Sequence, residues 1–410
     1  MSSDRTPGVR SVGTDPRDRI TECREPPEKT WFRDLDEAVI EADRCVQCGS
    51  CMAACPSDSI DIEPETGRPT LVRMCTGCSR CWDYCPRSGM RYERLNALEG
   101  RDVDAVYAAE AAESAETTES VKNHDGQNGG AVTALLAALL EAGEIDGAVV
   151  VADGEEPLRG EATLATSPEE LFDSAGSNYN QTMQLGRVDQ LIAESDLEDP
   201  NVALVGTPCV IQGAAALDRL QYDDELATVS VTIALVCTRS FAYDRLRSRL
   251  LDSGADLESV DRLGISEGEL VAYDEGGTRL LERDIEAFDE AALRGCDECT
   301  DALGEAADIT AGNVGSEDGK TTLLARTDTG KRAVEIADDR LELRGIEETG
   351  ALERFAEWNS RRAEATIPRD LDPDGNLTIS YSDHREVYDG TDREPKPLNP
   401  ARVHQYEEWC

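Results

Sequence analysis

Eight of the fourteen cysteines fall between Cys45 and Cys85, in two copies of one pattern. CVQCGSCMAACP begins at Cys45 and CTGCSRCWDYCP at Cys75, each C-x2-C-x2-C-x3-C-P, thirty residues apart. Three cysteines so spaced wrap one face of an iron–sulfur cubane. The fourth points away along a short helix and ligates the other cluster of a two-cluster ferredoxin. The expected ligand sets are therefore crossed: Cys45, Cys48, Cys51 and Cys85 for one 4Fe-4S cluster, and Cys75, Cys78, Cys81 and Cys55 for the second. Pro56 and Pro86 lack an N–H and turn the chain away after each fourth cysteine. A pair of zinc knots is the alternative, but zinc takes four ligands in separated pairs and gains nothing from a third cysteine in each copy.

Four more cysteines carry a weaker signal. In VALVGTPC an apolar strand runs into a turn and a helix begins near Cys209; Thr207 suits the cap and Pro208 the first helical position. A thiolate there is stabilised by the helix dipole, which marks Cys209 as a metal ligand or a reactive thiol. Cys237 follows another apolar strand in LVCTRSF, and Cys296 with Cys299 form a C-x2-C pair in GCDECTD. Together the four can supply a third cluster; buried free thiols and a zinc pair are the plainer readings. In DGQNGGAVTALLAALL, Gly129 and Gly130 precede an apolar helix whose free N–H groups can take phosphate, although the motif is not G-x-G-x-x-G and a tight turn explains it as well. AGSNY, Ala175 to Tyr179, is equally consistent with a loop. His124, His384 and His404 read as surface or structural residues, and Cys23 and Cys410 fall outside every motif.

The elements that must position these groups divide the chain into an extended N-terminal segment (1–38), a double 4Fe-4S ferredoxin-type domain (39–93), a linker (94–124), an α/β domain (125–366) and a polar tail (367–410). The linker contains AVYAAEAAESAETTES, which reads as helix or low-complexity connection. Beyond it the pattern predicts a helix over Ala131 to Ala142, strands from Gly147, Val202 and Thr228, and a helix from Val210 to Leu220. The fold class is mixed α/β: a bacterial-type two-cluster ferredoxin domain followed by an α/β cofactor domain.

Net charge is -44, with 85 acidic residues against 41 basic ones, of which five are Lys. Such a surface repels nucleic acid and anionic lipid. In molar salt the screening length falls to roughly 3 Å and self-repulsion fades, so the composition points to a salt-in halophile. The first twenty residues lack the apolar core of a signal peptide, and the longest nearly apolar run, Ala131 to Leu140, is too short to span a bilayer. With reduced thiols, this places the expected protein in the cytoplasm, without membrane insertion.

The ordered motifs GGAVTALL, AGSNY, VGTPC, LVCTRSF and CDECTDALGEAADITAGNVGSEDGKTTLLART resemble the beta-subunit family of coenzyme F420-reducing hydrogenase and dehydrogenase, over roughly residues 120 to 365. The cysteine repeat matches members with an N-terminal double-cluster ferredoxin domain. The resemblance implies FAD and one 4Fe-4S cluster in the α/β domain, and electron flow between the reduced deazaflavin and an iron–sulfur chain serving a redox partner. It implies Cys209, Cys237, Cys296 and Cys299 as ligands of a third cluster. It implies FAD near Gly129, Gly130, Thr133, Gly176, Ser177, Asn178, Tyr179, Gly206 and Thr207. Two departures bear on the substrate: Asn178 stands where the family often has Lys or Arg, and Arg239 where an acid is common. The expected reaction is hydride transfer from reduced F420 to FAD, then single electrons through the clusters. The alternatives are a ferredoxin-fed reductase of another organic substrate, as in 7-hydroxymethyl chlorophyll a reductase, and a flavin-free electron-transfer protein.

Overall fold

The computed structural model describes residues 31–87, 103–112, 127–220, 228–266, 268–317, 319–366, 388–392 and 394. Cys23, Cys410 and the three histidines lie outside them, as does nearly all of the expected tail.

The cysteine-rich part is small and built on turns. Two short helices, Ser50–Ala53 and Arg80–Asp83, each follow a left-handed residue, Gly49 and Ser79. A hairpin of β1 (Ile60–Ile62) and β2 (Pro69–Leu71) lies between them. Phe32–Leu35 is helical and continues as a π-helical turn over Asp36–Ile40, where the sequence reads as extended lead-in. Burial explains the correction. Phe32, Leu35, Val39 and Ile40 pack in one apolar cluster with Cys51, Cys81 and Trp82, and the Asp34 carboxylate accepts the Trp31 N–H at 2.7 Å to start the first turn.

A second correction concerns the expected linker. Ala105–Ala111 is β3, an inner strand of an eight-stranded sheet. Its alanines favour helix locally, but β3 pairs antiparallel with both β12 (Thr321–Ala325) and β13 (Leu341–Gly345). Ala109 and Ala111 then pack in one core with the helix Ala131–Ala142. Pairing on both edges outweighs a propensity difference of under about 1 kcal/mol per residue.

At the centre, β4 (Gly147–Asp153), β6 (Val202–Gly206), β7 (Val229–Leu235) and β11 (Ile309–Gly312) run parallel. β6 lies at their middle and is apolar, as burial on both faces requires; every one of its residues is buried. β5 (Gly160–Ala165) pairs antiparallel at the edge and completes the order β13-β3-β12-β11-β7-β6-β4-β5. The parallel strands all end on one side of the sheet, and the chain delivers its chemically active turns there. A separate antiparallel sheet of β8 (Arg262–Ser266), β9 (Glu269–Tyr273) and β10 (Arg279–Asp284) packs with the helix Tyr243–Asp252 around Phe241 and Phe288. No helix among the described residues is long and apolar enough to cross a membrane.

Candidate metal centres

Cys45, Cys48, Cys51 and Cys85 line one small cavity, and Cys55, Cys75, Cys78 and Cys81 line another. The fourth cysteine of each motif thus turns toward the other copy, carried past the short helix that holds the third, Cys51 in Ser50–Ala53 and Cys81 in Arg80–Asp83. Backbone N–H groups point at sulfur in both copies: Gln47 to Cys45, Gly77 to Cys75, Ser59 to Cys55 and Arg87 to Cys85, each at 3.4 Å. Such donors favour the thiolate. Burial pushes the Cys45 and Cys85 thiols up to about 12, with neighbouring thiolates adding to it, and Cys51 well above its usual value. Four thiols crowded at such cost ionise together only around a cation-rich centre, which an iron cubane provides. Among the described residues, no three His, Cys, Asp or Glu side chains converge as the ligands of a single ion would; the thiolates of a cubane each meet a separate iron corner.

The third group assembles from distant chain. Cys209 opens the helix Pro208–Leu220 after β6, and Cys237 follows β7 at the same edge of the sheet. The Cys237 N–H donates to the Ala302 carbonyl at 3.0 Å, which holds the Cys296–Cys299 turn alongside. Burial raises Cys209 and Cys237 well above the usual range and Cys296 to about 11; the charges of their partner cysteines raise them further. Cys48 is also among the charges felt by Cys209, so the first and third groups are neighbours. The helix Gly350–Thr366 braces this turn: Asn359 Nδ2 donates to the Cys299 carbonyl at 3.0 Å and Arg362 Nη2 to the Cys296 carbonyl at 3.1 Å. Asp301 accepts from Gln212 Nε2 at 2.8 Å and from the Gly304 N–H at 2.6 Å, pinning the exit.

The nine residues that the resemblance assigns to FAD lie in three separate stretches of chain along that same sheet edge. Gly129 and Gly130 adopt positive φ and enter the helix Ala131–Ala142, with Thr133 in its first turn. A Cβ on Gly129 would meet the Gly319 carbonyl oxygen at 2.6 Å and Glu110 at 2.9 Å, at the end of β3. Gly206 closes β6, and Thr207 Oγ1 lies 3.2 Å from Cys209 Sγ. Gly176, Ser177, Asn178 and Tyr179 lie beyond β4: Asn178 packs on Gly160, and the Tyr179 hydroxyl accepts from the Ile265 N–H at 3.1 Å. Arg239 pairs with Asp289.

None of the nine lines a neighbouring cleft of about 450 Å³ between the ferredoxin hairpin and the α/β unit. Gln47, Met183, Gln181 and Arg159 do. Gln47 and Met183 also line the cavity of the first cysteine group. Gln181 Nε2 donates to Thr207 Oγ1 at 2.9 Å and approaches Cys209 Sγ at 3.6 Å. Arg159 donates to the Pro64 carbonyl at 3.3 Å and covers the Tyr243 ring at 5.2 Å, closing the hairpin over the cleft. Sequence reading missed these four; the one available signal is that Gln181 lies two residues past AGSNY.

Comparison with known proteins bears on this arrangement. Residues 199–349 match the model for the C terminus of the coenzyme F420 hydrogenase/dehydrogenase beta subunit, residues 112–188 that for its N-terminal part, and residues 38–91 a 4Fe-4S dicluster domain. The chain belongs to the coenzyme F420 hydrogenase/dehydrogenase beta-subunit family. A coenzyme F420-dependent sulfite reductase of Methanocaldococcus jannaschii is 31% identical over 80% of this chain, which spans about half of that protein (52%). A coenzyme F420 hydrogenase subunit beta of Methanosarcina barkeri is 31% identical over 54% of this chain and 77% of its own length. A chain of the solved F420-reducing [NiFe] hydrogenase complex from Methanosarcina barkeri superposes with a TM-score of 0.59 at 27% identity, covering 65% of this chain and 91% of that one.

Proposed function

We propose that this protein is an iron–sulfur flavoprotein oxidoreductase that exchanges electrons between reduced coenzyme F420 and a chain of three 4Fe-4S centres serving a partner protein. The observation that carries the reading is the contiguity of the cysteine groups: Cys48 of the first adjoins Cys209 of the third, and one cleft touches both through Gln47 and Gln181. A deazaflavin gives up a hydride, whereas each 4Fe-4S centre takes one electron. FAD, when bound along the sheet edge, supplies the conversion between the two. The residues to hold it are those from Gly129 to Thr133, Gly176 to Tyr179, and Gly206 with Thr207. Gln181, which lines the cleft, is tied to Thr207 beside Cys209, and Arg159 ties the hairpin to the rim of the cleft through the Pro64 carbonyl.

The exit is the second cysteine group. Cys78 is exposed, and Met74 (90% exposed), Val72 (54%) and Trp31 (43%) surround that end of the molecule with apolar surface suited to a protein partner. The acidic composition and reduced thiols fit a cytoplasm of high salt. The test is anaerobic purification in high salt followed by mixing with reduced F420. The reading expects FAD, about twelve irons as three cubanes of four, and rapid bleaching of flavin and cluster absorbance. No response to reduced F420, with reduction by ferredoxin intact, would replace F420 with another organic substrate. Eight irons and no flavin would leave a plain electron carrier.

A further inference from the structure

Buried thiols are accounted for by clusters, but two buried arginines between them are not. Arg44 is 0% exposed and Arg87 1%. Arg44 Nε donates to Glu298 Oε2 at 3.3 Å, and Glu298 is itself fully buried. Arg87 donates from Nε to the Gly295 carbonyl at 3.1 Å and from Nη1 to the Pro86 carbonyl at 3.3 Å. Both terminal nitrogens of Arg44 and one of Arg87 find no acceptor among the described residues. A guanidinium does not give up its proton in a protein. Two cations against one carboxylate leave a net positive charge in the interior, and beyond Glu298 the groups that attract it at Arg87 are the cysteines Cys299 and Cys209, an arrangement that favours an anionic centre beside it.

The position identifies the anion. Arg87 lines the cavity of Cys45, Cys48, Cys51 and Cys85, and its N–H donates to Cys85 Sγ. Its charge acts on Cys48 and Cys85 on one side and on Cys209, Cys296 and Cys299 on the other. Among the residues lining the second cavity there is no arginine. We propose that Arg87, backed by the Arg44–Glu298 pair, is an electrostatic bridge between the first and third centres that keeps both reducible in a buried site. It is a positioning residue and touches no substrate. Burial opposes each added negative charge, and the bridge offsets that opposition at two centres at once. A hydride is two electrons and a proton: the electrons match the two flanking centres, one each, and the proton leaves to solvent. No bond forms at Arg87, which stays protonated throughout.

The inference rests on the three-centre reading, and the iron content of the unaltered chain tests that reading separately. The bridge itself is tested by a redox titration of the full chain, assembled anaerobically and followed by electron paramagnetic resonance. Arg87→Gln is expected to make two of the three centres harder to reduce by about tenfold in the one-electron equilibrium, ~59 mV, while the third stays put. Arg87→Lys, which keeps the charge, restores most of the shift. Glu298→Gln, which removes the opposing carboxylate, moves the same two midpoints the other way. A purely structural anchor on Gly295 would not reverse sign between variants. Shifts of equal sign, a shift of all three centres, or none would overturn the proposal. Where Arg87→Gln fails to hold iron, Glu298→Gln decides alone: an upward shift supports the bridge, and a downward shift or none overturns it.

Discussion

Cys48 and Cys78 hold the same place in the two copies of the repeat, yet Cys48 is buried and Cys78 exposed. The difference lies in what each copy meets. The first presses on the α/β unit: a Cβ on Gly49 would lie 2.5 Å from the Gly186 nitrogen, and one on Gly213 only 2.0 Å from Ser50 Oγ. The second copy faces outward beside Met74 and Val72. One sulfur geometry thus serves two environments, an inner centre beside the cleft and an outer one at the surface.

Removing one ligand from each copy puts that difference to its hardest trial. Cys48→Ala and Cys78→Ala should each cost about four irons of the expected twelve. Their kinetics should separate. In stopped-flow mixing with the organic donor, Cys48→Ala should block electrons from reaching the remaining outer centre, whereas Cys78→Ala should leave the inner absorbance bleaching normally and abolish only reduction of a partner. Equal kinetics for the two variants would remove the inner-to-outer order.

A smaller effect is expected from exchanging the residues that open the two short helices. Gly49 has φ 92 and Ser79 φ 72, so both are left-handed, but position 79 already holds a side chain, whereas a Cβ on Gly49 would meet the Gly186 and Met183 backbone. Gly49→Ser should destabilise by about 2 kcal/mol or more, combining left-handed strain with a contact that cannot relax. Ser79→Gly should change stability by less than about 1 kcal/mol, since relief of strain and added chain freedom oppose each other. Denaturant midpoints at fixed high salt measure both. A Gly49→Ser protein as stable as the parent would mean that the two modules are not packed as described.

The same contrast explains what was legible in the sequence. Cysteine spacing is local, so the crossed grouping around two cavities could be read from the motif. The helix Ala131–Ala142 and the strands β4, β6 and β7 could be read from apolar runs between turn residues. β3 could not, since its alanines carry no strand signal and its pairing comes from β12 and β13, some two hundred residues later. The glycine turn into the helix at Gly129 was visible, while the cleft beside Cys209 was not, because Gln47 and Gln181 come from different modules. Arg44 and Arg87 were invisible for the same reason. In sequence they are ordinary charges, and only contact with Glu298, 254 residues beyond Arg44, makes one of them a buried ion pair.

The mildest perturbation addresses the outer face alone. Met74 is 90% exposed and contributes nothing evident to the core, so Met74→Asp should leave stability within about 0.5 kcal/mol. It adds a charge to an apolar patch, however, and charged residues are depleted at the centre of protein interfaces. If the partner docks here, its reduction rate should fall several-fold while donor-driven bleaching of the inner centres is untouched, with an apparent cost of about 1 kcal/mol typical of one contact residue. Because the chain already carries a large negative charge, raising the salt concentration should recover part of the loss if repulsion is the cause and none of it if apolar contact is. An unchanged partner rate at every salt concentration would move the exit away from Cys78 and leave the exposed copy of the repeat without its expected role.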